Sequence, residues 1–201
     1  MLDTAARRLI DPPLNRMGQR LAAVGVTANG VTLAGLALGL IAAVTIAFGS
    51  PLWALLPLLA SRLADGLDGA VARATRKTDF GGYLDICADF LFYGAVPFAF
   101  ALMDPHNATA AAFLLLSFYV NGTSFLGFAT MAEKRGLSTS AQGSKSLYYS
   151  AGLLEGTETI LFFVLLCLLP QLFVPLAYIF GALCFLTATA RILNAHQILT
   201  D

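Results

Sequence analysis

The sequence predicts an all-α integral membrane protein with six transmembrane helices and an N-terminal juxtamembrane segment. The chain has 201 residues, of which 58% are hydrophobic and 12% are charged, about half the charged fraction of a typical soluble domain. Its mean hydropathy is +0.76, and apolar runs near membrane-helix length, roughly 20 residues, recur along the whole chain. We therefore expect a single membrane domain over residues 1–201. A net charge of zero gives no reason to expect nucleic acid as a partner.

The first 26 residues are predicted to form the juxtamembrane segment. Four arginines alternate there with apolar side chains: Arg7, Arg8, Arg16 and Arg20. This pattern is typical of a basic segment lying on anionic headgroups, and a plain basic tail fits it equally well. We expect Pro12-Pro13 to interrupt any helix in this segment. The start does not lead into a short apolar core with a cleavage site, so no signal peptide is predicted.

Six apolar stretches follow, separated by turn residues or short polar loops. They cover residues 31–48, 52–73, 82–103, 108–131, 150–169 and 172–195. Thr27 or Asn29 is predicted to cap the first helix. The second stretch becomes polar from Ser61-Arg62 onward. An even number of spans puts both termini on the same side of the membrane.

Basic residues fall on one side of the predicted bundle. The turns at 49–51, 104–107 and 170–171 contain no Lys or Arg, whereas the opposite side carries all of the chain's 12 Lys and Arg residues except Arg62, with Arg73 and Arg191 near the ends of their stretches. The positive-inside rule assigns the basic side to the cytoplasm. We therefore expect both termini, and any site at that side, to be cytoplasmic.

Aspartates interrupt the second and third stretches at this basic side. There are four of them: Asp65, Asp68, Asp85 and Asp89. A charge at the centre of a membrane helix costs roughly 2.5–3.5 kcal/mol on insertion scales, so four carboxylates together indicate a compensating ligand. The first two lie at i, i+3 and the last two at i, i+4, each pair on one helix face. Because the linker is short, we expect the two helices to be antiparallel neighbours whose carboxylates meet.

Carboxylate oxygens are hard ligands that suit Mg²⁺, Mn²⁺ or Ca²⁺. The sequence has no cluster of histidine or cysteine at zinc-binding spacing. Two ions within about 4 Å of each other would suit an in-line phosphoryl displacement. The sequence therefore predicts a divalent-metal site between the second and third helices.

The motif that holds these aspartates, within residues 61–90, resembles the signature of the CDP-alcohol phosphotransferases. The resemblance rests on Asp65-x2-Asp68-Gly69-x2-Ala72-Arg73, followed by Gly81-x3-Asp85-x3-Asp89. The family pattern usually has eight residues between the arginine and the glycine, and this chain has seven. Thr27-Ala-Asn29-x2-Thr32 also resembles the family's entry to its first membrane helix, with Ala28 where proline is common.

The resemblance implies that an alcohol attacks the β-phosphorus of a CDP-alcohol, forms a phosphodiester and releases CMP. It implies four ligands for two Mg²⁺ or Mn²⁺ ions: Asp65, Asp68, Asp85 and Asp89. Asp89 would also be the general base. It implies four residues around the nucleotide: Gly69, Ala72, Arg73 and, as a weaker candidate for the diphosphate, Thr78. A homodimer is usual for the family.

The donor is expected to be CDP-diacylglycerol, because small chains resembling this one more often use it. A CDP-headgroup donor with a lipid acceptor stays open. Six residues are candidates for binding the acceptor: Lys134, Arg135, Lys145, Glu155, Glu158 and Arg191. The basic members suit a phosphate-bearing acceptor such as glycerol 3-phosphate or inositol phosphate, although the positive-inside rule alone also accounts for them. The glutamates would receive an amine or hydroxyl-rich group, or form an ion pair with Arg191 or Arg62.

Two functions from other classes also fit part of the pattern. A divalent metal-ion transporter would use the aspartates as its permeation site. Against it, the carboxylates cluster at one face of the membrane, and Arg73 would repel a cation. An inactive membrane scaffold would have no reason to keep four buried carboxylates. Arg62, three residues before Asp65, is expected to contact the metal ligands rather than the metal.

Overall fold

The computed structural model describes residues 2–136, 154 and 156–200. In those ranges the chain forms seven α-helices: α1 (Leu2–Ala23), α2 (Ala28–Ala47), α3 (Pro51–Ala74), α4 (Asp79–Met103), α5 (Ala108–Lys134), α6 (Gly156–Leu168) and α7 (Phe173–Thr200). Short 3₁₀ turns at Pro105–Asn107 and Pro170–Leu172 lead into α5 and α7. The prediction of an all-helical protein is confirmed for the described residues.

Four of the described helical segments are long and apolar enough to cross a membrane: Ala28–Ala47, Asp79–Met103, Pro105–Lys134 and Pro170–Thr200. Helix α3 has 24 residues but carries Arg62, Asp65 and Asp68 within them, so it does not meet the same criterion of apolarity. Helix α6 is described over 13 residues. An integral membrane protein is therefore supported, whereas the number of six spans is not confirmed.

Helix α1 runs without a break through Pro12 and Pro13, so the prediction that they interrupt it is wrong. The helix is held by close packing on α3. Leu14 is buried, and a Cβ added at Gly18 would lie 2.7 Å from Ala70 Cβ. Although each proline removes a backbone hydrogen bond, this tertiary contact stabilises the helix, as packing usually does in proteins.

Helix α2 begins as predicted, because Thr27 Oγ1 accepts a hydrogen bond from the Gly30 N–H at 3.2 Å. It packs against both α3 and α4 through glycines. A Cβ at Gly35 would lie 3.0 Å from Ala64 Cβ of α3, and one at Gly39 would lie 2.6 Å from Phe92 Cδ2 of α4. Because glycine has no side chain, it allows α2 to approach the neighbouring helices this closely.

Helices α3 and α4 were expected to be direct neighbours, and this is wrong at the level of the backbone. They make little direct backbone contact, since α2 packs against each of them. Side chains bridge the space instead, as between Arg62 and Asp89. We call the region between α3 and α4, next to α2, the α3–α4 cleft.

The core has two parts. The larger part contains residues from every helix between α2 and α7. Within it, the rings of Phe100 and Phe173 are stacked with their centroids 4.7 Å apart. The smaller part joins α1, α2 and α3 through five residues: Leu14, Val31, Leu67, Ala70 and Val71. The α3 half that carries two of the aspartates therefore depends on α1 for its packing.

Candidate active site in the α3–α4 cleft

Asp68 is the most deeply buried of the four aspartates. It is 6% exposed, and its Oδ2 lies 2.6 Å from the Oγ1 of Thr32 on α2. That hydroxyl also lies 3.1 Å from the carbonyl oxygen of Ala28. Since a hydroxyl has one proton and the contact with the carboxylate is the shorter, the proton is donated to Asp68, which makes a strong charge-assisted hydrogen bond.

Arg62 joins the aspartates of the two helices. Its Nη1 donates to Asp89 Oδ1 at 2.8 Å and lies 3.5 Å from Asp65 Oδ1. Its Cζ stands 3.9 Å from the centroid of the Phe92 ring, a cation–π distance. The guanidinium therefore sits between carboxylates on one side and an aromatic face on the other.

Asp65 and Asp89 are about one-third exposed, at 35% and 32%. Both lie against the same guanidinium nitrogen, Arg62 Nη1, which is 3.5 Å from Asp65 Oδ1 and 2.8 Å from Asp89 Oδ1. Asp85 is half-buried and lies one helical turn before Asp89 on α4, as Asp68 lies about one turn after Asp65 on α3. The four aspartates that the sequence singled out thus gather in one cleft.

The donor set fits a hard divalent cation, because carboxylate oxygens are what Mg²⁺ and Mn²⁺ prefer. The side chains are not assembled as a metal site, however: among the described residues, no group of three or more His, Cys, Asp and Glu side chains is arranged to hold a metal ion. The contacts explain this arrangement. Arg62 engages Asp65 and Asp89, while Thr32 holds Asp68. The metal ligands stay a prediction.

Arg73 lies at the end of α3 beside Gly69. A Cβ at Gly69 would stand 3.3 Å from Arg73 Nη1, so glycine leaves room for this side chain. Arg73 donates from Nε and Nη2 to Asn15 Oδ1 at 3.1 and 2.8 Å. Asn15 belongs to α1 and lies outside the sequence motif, so nothing in the pattern of the sequence pointed to it.

Thr78 caps α4, and its Oγ1 accepts a hydrogen bond from the Gly81 N–H at 3.0 Å. Its hydroxyl proton is not used in that bond. Gly81 faces Asn29, whose Oδ1 would lie 3.1 Å from an added Cβ. Ala72 is half-buried. The positive end of the α4 dipole therefore lies beside the α3–α4 cleft, where it favours negative charge.

The described candidates for binding the acceptor lie on or next to α5, α6 and α7. Arg191 is buried, and its Nη1 donates to Asn121 O and Oδ1, each at 3.0 Å, and to Ser124 Oγ at 2.8 Å. Arg135 donates to the carbonyl oxygens of Ile198 and Leu199. Both arginines thereby tie α5 to α7.

Two of the other four candidates lie within the described residues. Lys134 is exposed at the end of α5. Glu158 lines a mainly apolar cavity of about 290 Å³ between α6 and α7. Lys145 and Glu155 lie outside the described residues. The structure therefore brings the aspartates together but does not define an acceptor site.

Comparison of the whole chain with known protein families gives the same result as the aspartate motif. The family model described as CDP-alcohol phosphatidyltransferase matches residues 25–192. The chain belongs to this family. The match begins just before Thr27 and takes in α2 to α6 and most of α7, which confirms the resemblance drawn from the aspartate motif.

Two relatives extend this comparison. The chain is 47% identical over 200 residues to "Inner membrane protein YnjF" of Escherichia coli strain K12, covering 99% of this chain and 97% of that protein. It is 37% identical over 97 residues to "Archaetidylinositol phosphate synthase" of Pyrococcus horikoshii, covering 48% of this chain and 52% of that protein. The second match thus spans about half of each protein.

Membership in the family, together with the apolar helices, makes this an integral membrane protein of the CDP-alcohol phosphotransferase class. It also supports phosphatidyl transfer in phospholipid synthesis. The first 24 residues, most of them in α1, precede the matched region.

Proposed function

We propose that this protein transfers a phosphatidyl group from CDP-diacylglycerol to an acceptor alcohol and releases CMP. The observation that carries the proposal is the gathering of the motif's four aspartates in the α3–α4 cleft. A carboxylate cluster this deep in an apolar chain is costly without a positively charged ligand. A nucleotide diphosphate bound through divalent cations supplies both the charge and the chemistry.

The nucleotide of the donor lies beside Gly69, Ala72 and Arg73 in this proposal. Gly69 leaves space against α3, and the Arg73 guanidinium suits a phosphate oxygen. The positive end of α4, capped by Thr78, adds a favourable dipole for the diphosphate. These residues hold the donor with its β-phosphorus turned toward the aspartates.

Asp89 acts as the general base. Its carboxylate takes the proton from the acceptor hydroxyl, and the oxygen of that hydroxyl forms a bond to the β-phosphorus. The bond from the β-phosphorus to the oxygen that bridges the two phosphates breaks, and CMP leaves with that oxygen. Such proton transfer requires the base within hydrogen-bond reach of the acceptor.

Asp65, Asp68, Asp85 and Asp89 would hold Mg²⁺ or Mn²⁺. When bound, the cations neutralise the diphosphate and the charge that develops on the leaving oxygen. Thr32 keeps Asp68 oriented through its hydrogen bond of 2.6 Å. Replacing a residue that orients a metal ligand commonly weakens metal binding tenfold or more.

For the acceptor, we propose an alcohol that carries a phosphate, with inositol phosphate and glycerol 3-phosphate as the first two to test. The support is the name of the archaeal relative, which refers to inositol phosphate, together with the exposed Lys134 at the end of α5. A CDP-headgroup donor with a lipid acceptor is the second possibility within the same chemistry.

We further propose six transmembrane spans, with α3 and α6 as the second and fifth, cytoplasmic termini and a homodimer, which is usual for the family. The asymmetric distribution of Lys and Arg supports this orientation. In a Cys87→Ser background, a membrane-impermeant maleimide should label Lys77→Cys in inverted vesicles and Phe48→Cys in spheroplasts. Labelling of both from the same side would contradict the proposal.

The decisive experiment measures CMP release by the purified protein from CDP-diacylglycerol, with Mg²⁺ or Mn²⁺ and a panel of acceptors. We expect release that requires metal, one acceptor and Asp89, so that Asp89→Asn loses at least about 100-fold in rate. Asp104→Asn is the matched control, because Asp104 follows the opposite end of the same helix, where its Oδ1 accepts a hydrogen bond from the His106 N–H. Its activity should be unchanged.

Release that survives Asp89→Asn would remove Asp89 from the role of base. If no acceptor led to release of CMP, a CDP-headgroup donor would become the favoured donor. That donor would be tested with diacylglycerol as the lipid acceptor. Failure with both kinds of donor would overturn the transferase proposal and would favour metal-ion transport, which uptake of ⁵⁴Mn²⁺ into proteoliposomes would detect.

A further inference from the structure

Arg62 places a permanent positive charge where the proposed function requires a metal ion. A guanidinium cannot be deprotonated in a protein. The Arg62 side chain is 9% exposed, and its Nη1 reaches Asp89 Oδ1 at 2.8 Å and Asp65 Oδ1 at 3.5 Å. These are two of the four carboxylates that the motif assigns to metal.

The position of this guanidinium is built by three helices. Phe92 of α4 lies fully buried beneath it at 3.9 Å, and Phe92 in turn fits against Gly39 of α2. On α3 itself, Arg62 Nη2 donates to Ser61 Oγ at 3.1 Å. An arginine held on one face by an aromatic ring and on its edge by carboxylates is fixed in place.

The hydrogen bonds of the guanidinium are incomplete. Arg62 Nε is buried and has no hydrogen-bond partner among the described residues. A buried N–H without a partner carries a free-energy cost, so this arrangement is not the one that would satisfy the arginine best. The contacts with Asp65 and Asp89 therefore compensate the charge without satisfying the whole group.

We propose that Arg62 is an internal counter-cation that competes with the divalent metal for Asp65 and Asp89. In the metal-free protein the guanidinium neutralises part of the charge on the carboxylates. Metal binding then requires Nη1 to give up these oxygens, because a divalent cation bonds directly to carboxylate oxygens. The inference rests on the proposed function in one respect, namely that the aspartates bind metal.

Competition makes a prediction that is opposite in sign to that of a supporting role. Replacing an arginine that merely orients the metal ligands should weaken metal binding. Replacing a competitor should strengthen metal binding, because a unit positive charge beside the carboxylates has been removed. The same replacement should destabilise the metal-free protein, in which the carboxylates have lost their partner.

The experiment measures Mn²⁺ binding to the purified full chain in detergent, from the electron paramagnetic resonance signal of free Mn²⁺. We expect Arg62→Met to lower the Kd for Mn²⁺ at least about tenfold. Phe92→Leu, a milder change that removes the aromatic face, should lower it about two- to fivefold. Arg20→Met is the control, because it removes the same charge from an exposed position of α1 and should leave the Kd unchanged.

Thermal unfolding provides the second measurement. In excess chelator, Arg62→Met should unfold at a lower temperature than the wild type. Added Mn²⁺ should raise its Tm by more than that of the wild type, since at a given concentration a ligand stabilises more when it binds more tightly. Phe92→Leu keeps the test informative if Arg62→Met does not fold.

The inference would be overturned if both variants bound Mn²⁺ no more tightly than the wild type. It would also be overturned if neither the wild type nor the two variants bound Mn²⁺ detectably. The proposed function fails on a different measurement, the metal-dependent release of CMP. If the wild type released CMP with Mn²⁺ but Arg62→Met had an unaltered Kd for Mn²⁺, the proposed competition would be wrong and the proposed function would stand.

Discussion

Among the described side chains, Arg62 and Arg191 are both buried, and the groups described around them differ in kind. Arg62 contacts Asp65 and Asp89, carboxylates that the proposed chemistry needs for another ligand. Arg191 donates through Nη1 to the backbone and side chain of Asn121 and to Ser124, groups on α5 that connect two helices. One arginine lies in the α3–α4 cleft, and the other lies in the packing of α5 against α7.

The difference shows that burial of a charge in a membrane protein does not by itself indicate its purpose. A guanidinium held by an amide, a hydroxyl and a carbonyl can keep those partners permanently. A guanidinium held by carboxylates in a candidate metal site has partners that a divalent cation also binds. The identity of the partner group separates a structural arginine from one that takes part in a ligand equilibrium.

The largest effect is expected from the carboxylates themselves. Asp68→Asn keeps the shape of the side chain and an acceptor for Thr32 but removes a negative charge, so CMP release should fall at least about 100-fold. Asp104→Asn is the control, because Asp104 Oδ1 caps the His106 N–H and an asparagine oxygen can do the same. Equal activity in both variants would show that the cleft is not where the chemistry occurs.

Arg191→Met should affect stability more than metal binding. The change removes the hydrogen bonds that join α7 to Asn121 and Ser124, at a cost of about 1–3 kcal/mol. We expect a lower unfolding temperature in detergent, with a Kd for Mn²⁺ within about twofold of the wild type, since no carboxylate of the α3–α4 cleft has lost a partner. If the Kd for Mn²⁺ fell in Arg191→Met as much as is expected in Arg62→Met, the distinction between the two arginines would be wrong.

Thr32→Val should have a moderate effect on metal binding. It removes the hydroxyl that donates to Asp68 and keeps the size of the side chain, so the Kd for Mn²⁺ should rise by about tenfold. Thr45→Val on the same helix is the control, because its hydroxyl contacts only the backbone oxygen of Ile41 among the described residues. A Thr32→Ser variant that binds like the wild type would assign the effect to the hydroxyl.

The smallest effect is expected at Asn15. Its Oδ1 accepts two hydrogen bonds from Arg73, so Asn15→Ala should raise the KM for the CDP-alcohol about two- to fivefold and leave kcat unchanged. Gln19→Ala, at an exposed position one turn further along α1, should change neither constant. A fall in kcat alone would contradict a role in holding Arg73 for the nucleotide.

Local patterns predicted the helices well where they depend on nearby residues. The cap at Thr27 and the placement of each pair of aspartates on one face of its helix follow from short-range spacing. The continuity of α1 through Pro12-Pro13 did not follow from it, because the contact of Gly18 with Ala70 joins residues that are far apart in the chain. Tertiary packing overrode the local preference.

The sequence also did not predict which helices would be neighbours around the candidate site. The short linker between α3 and α4 suggested direct packing, but the glycines of α2 let it pack closely against both. Arg62 was expected to contact the predicted metal ligands, and it lies against two of those carboxylates, Asp65 and Asp89. Its stacking on Phe92 depends on how α3 and α4 are placed, which spacing along a single helix does not specify.

The hydrogen bond between Thr32 and Asp68 has a consequence for how the protein enters the membrane during synthesis. It joins residues 36 positions apart, on the two helices that the ribosome completes before α4. Asp65 likewise has Arg62 within reach on its own helix, at i, i+3. A hairpin of α2 and α3 can thus accommodate its two carboxylates before Asp89 arrives. A circular permutation that delivers α4 ahead of α2 should insert poorly, because Asp89 would meet the lipid before Arg62 had been made.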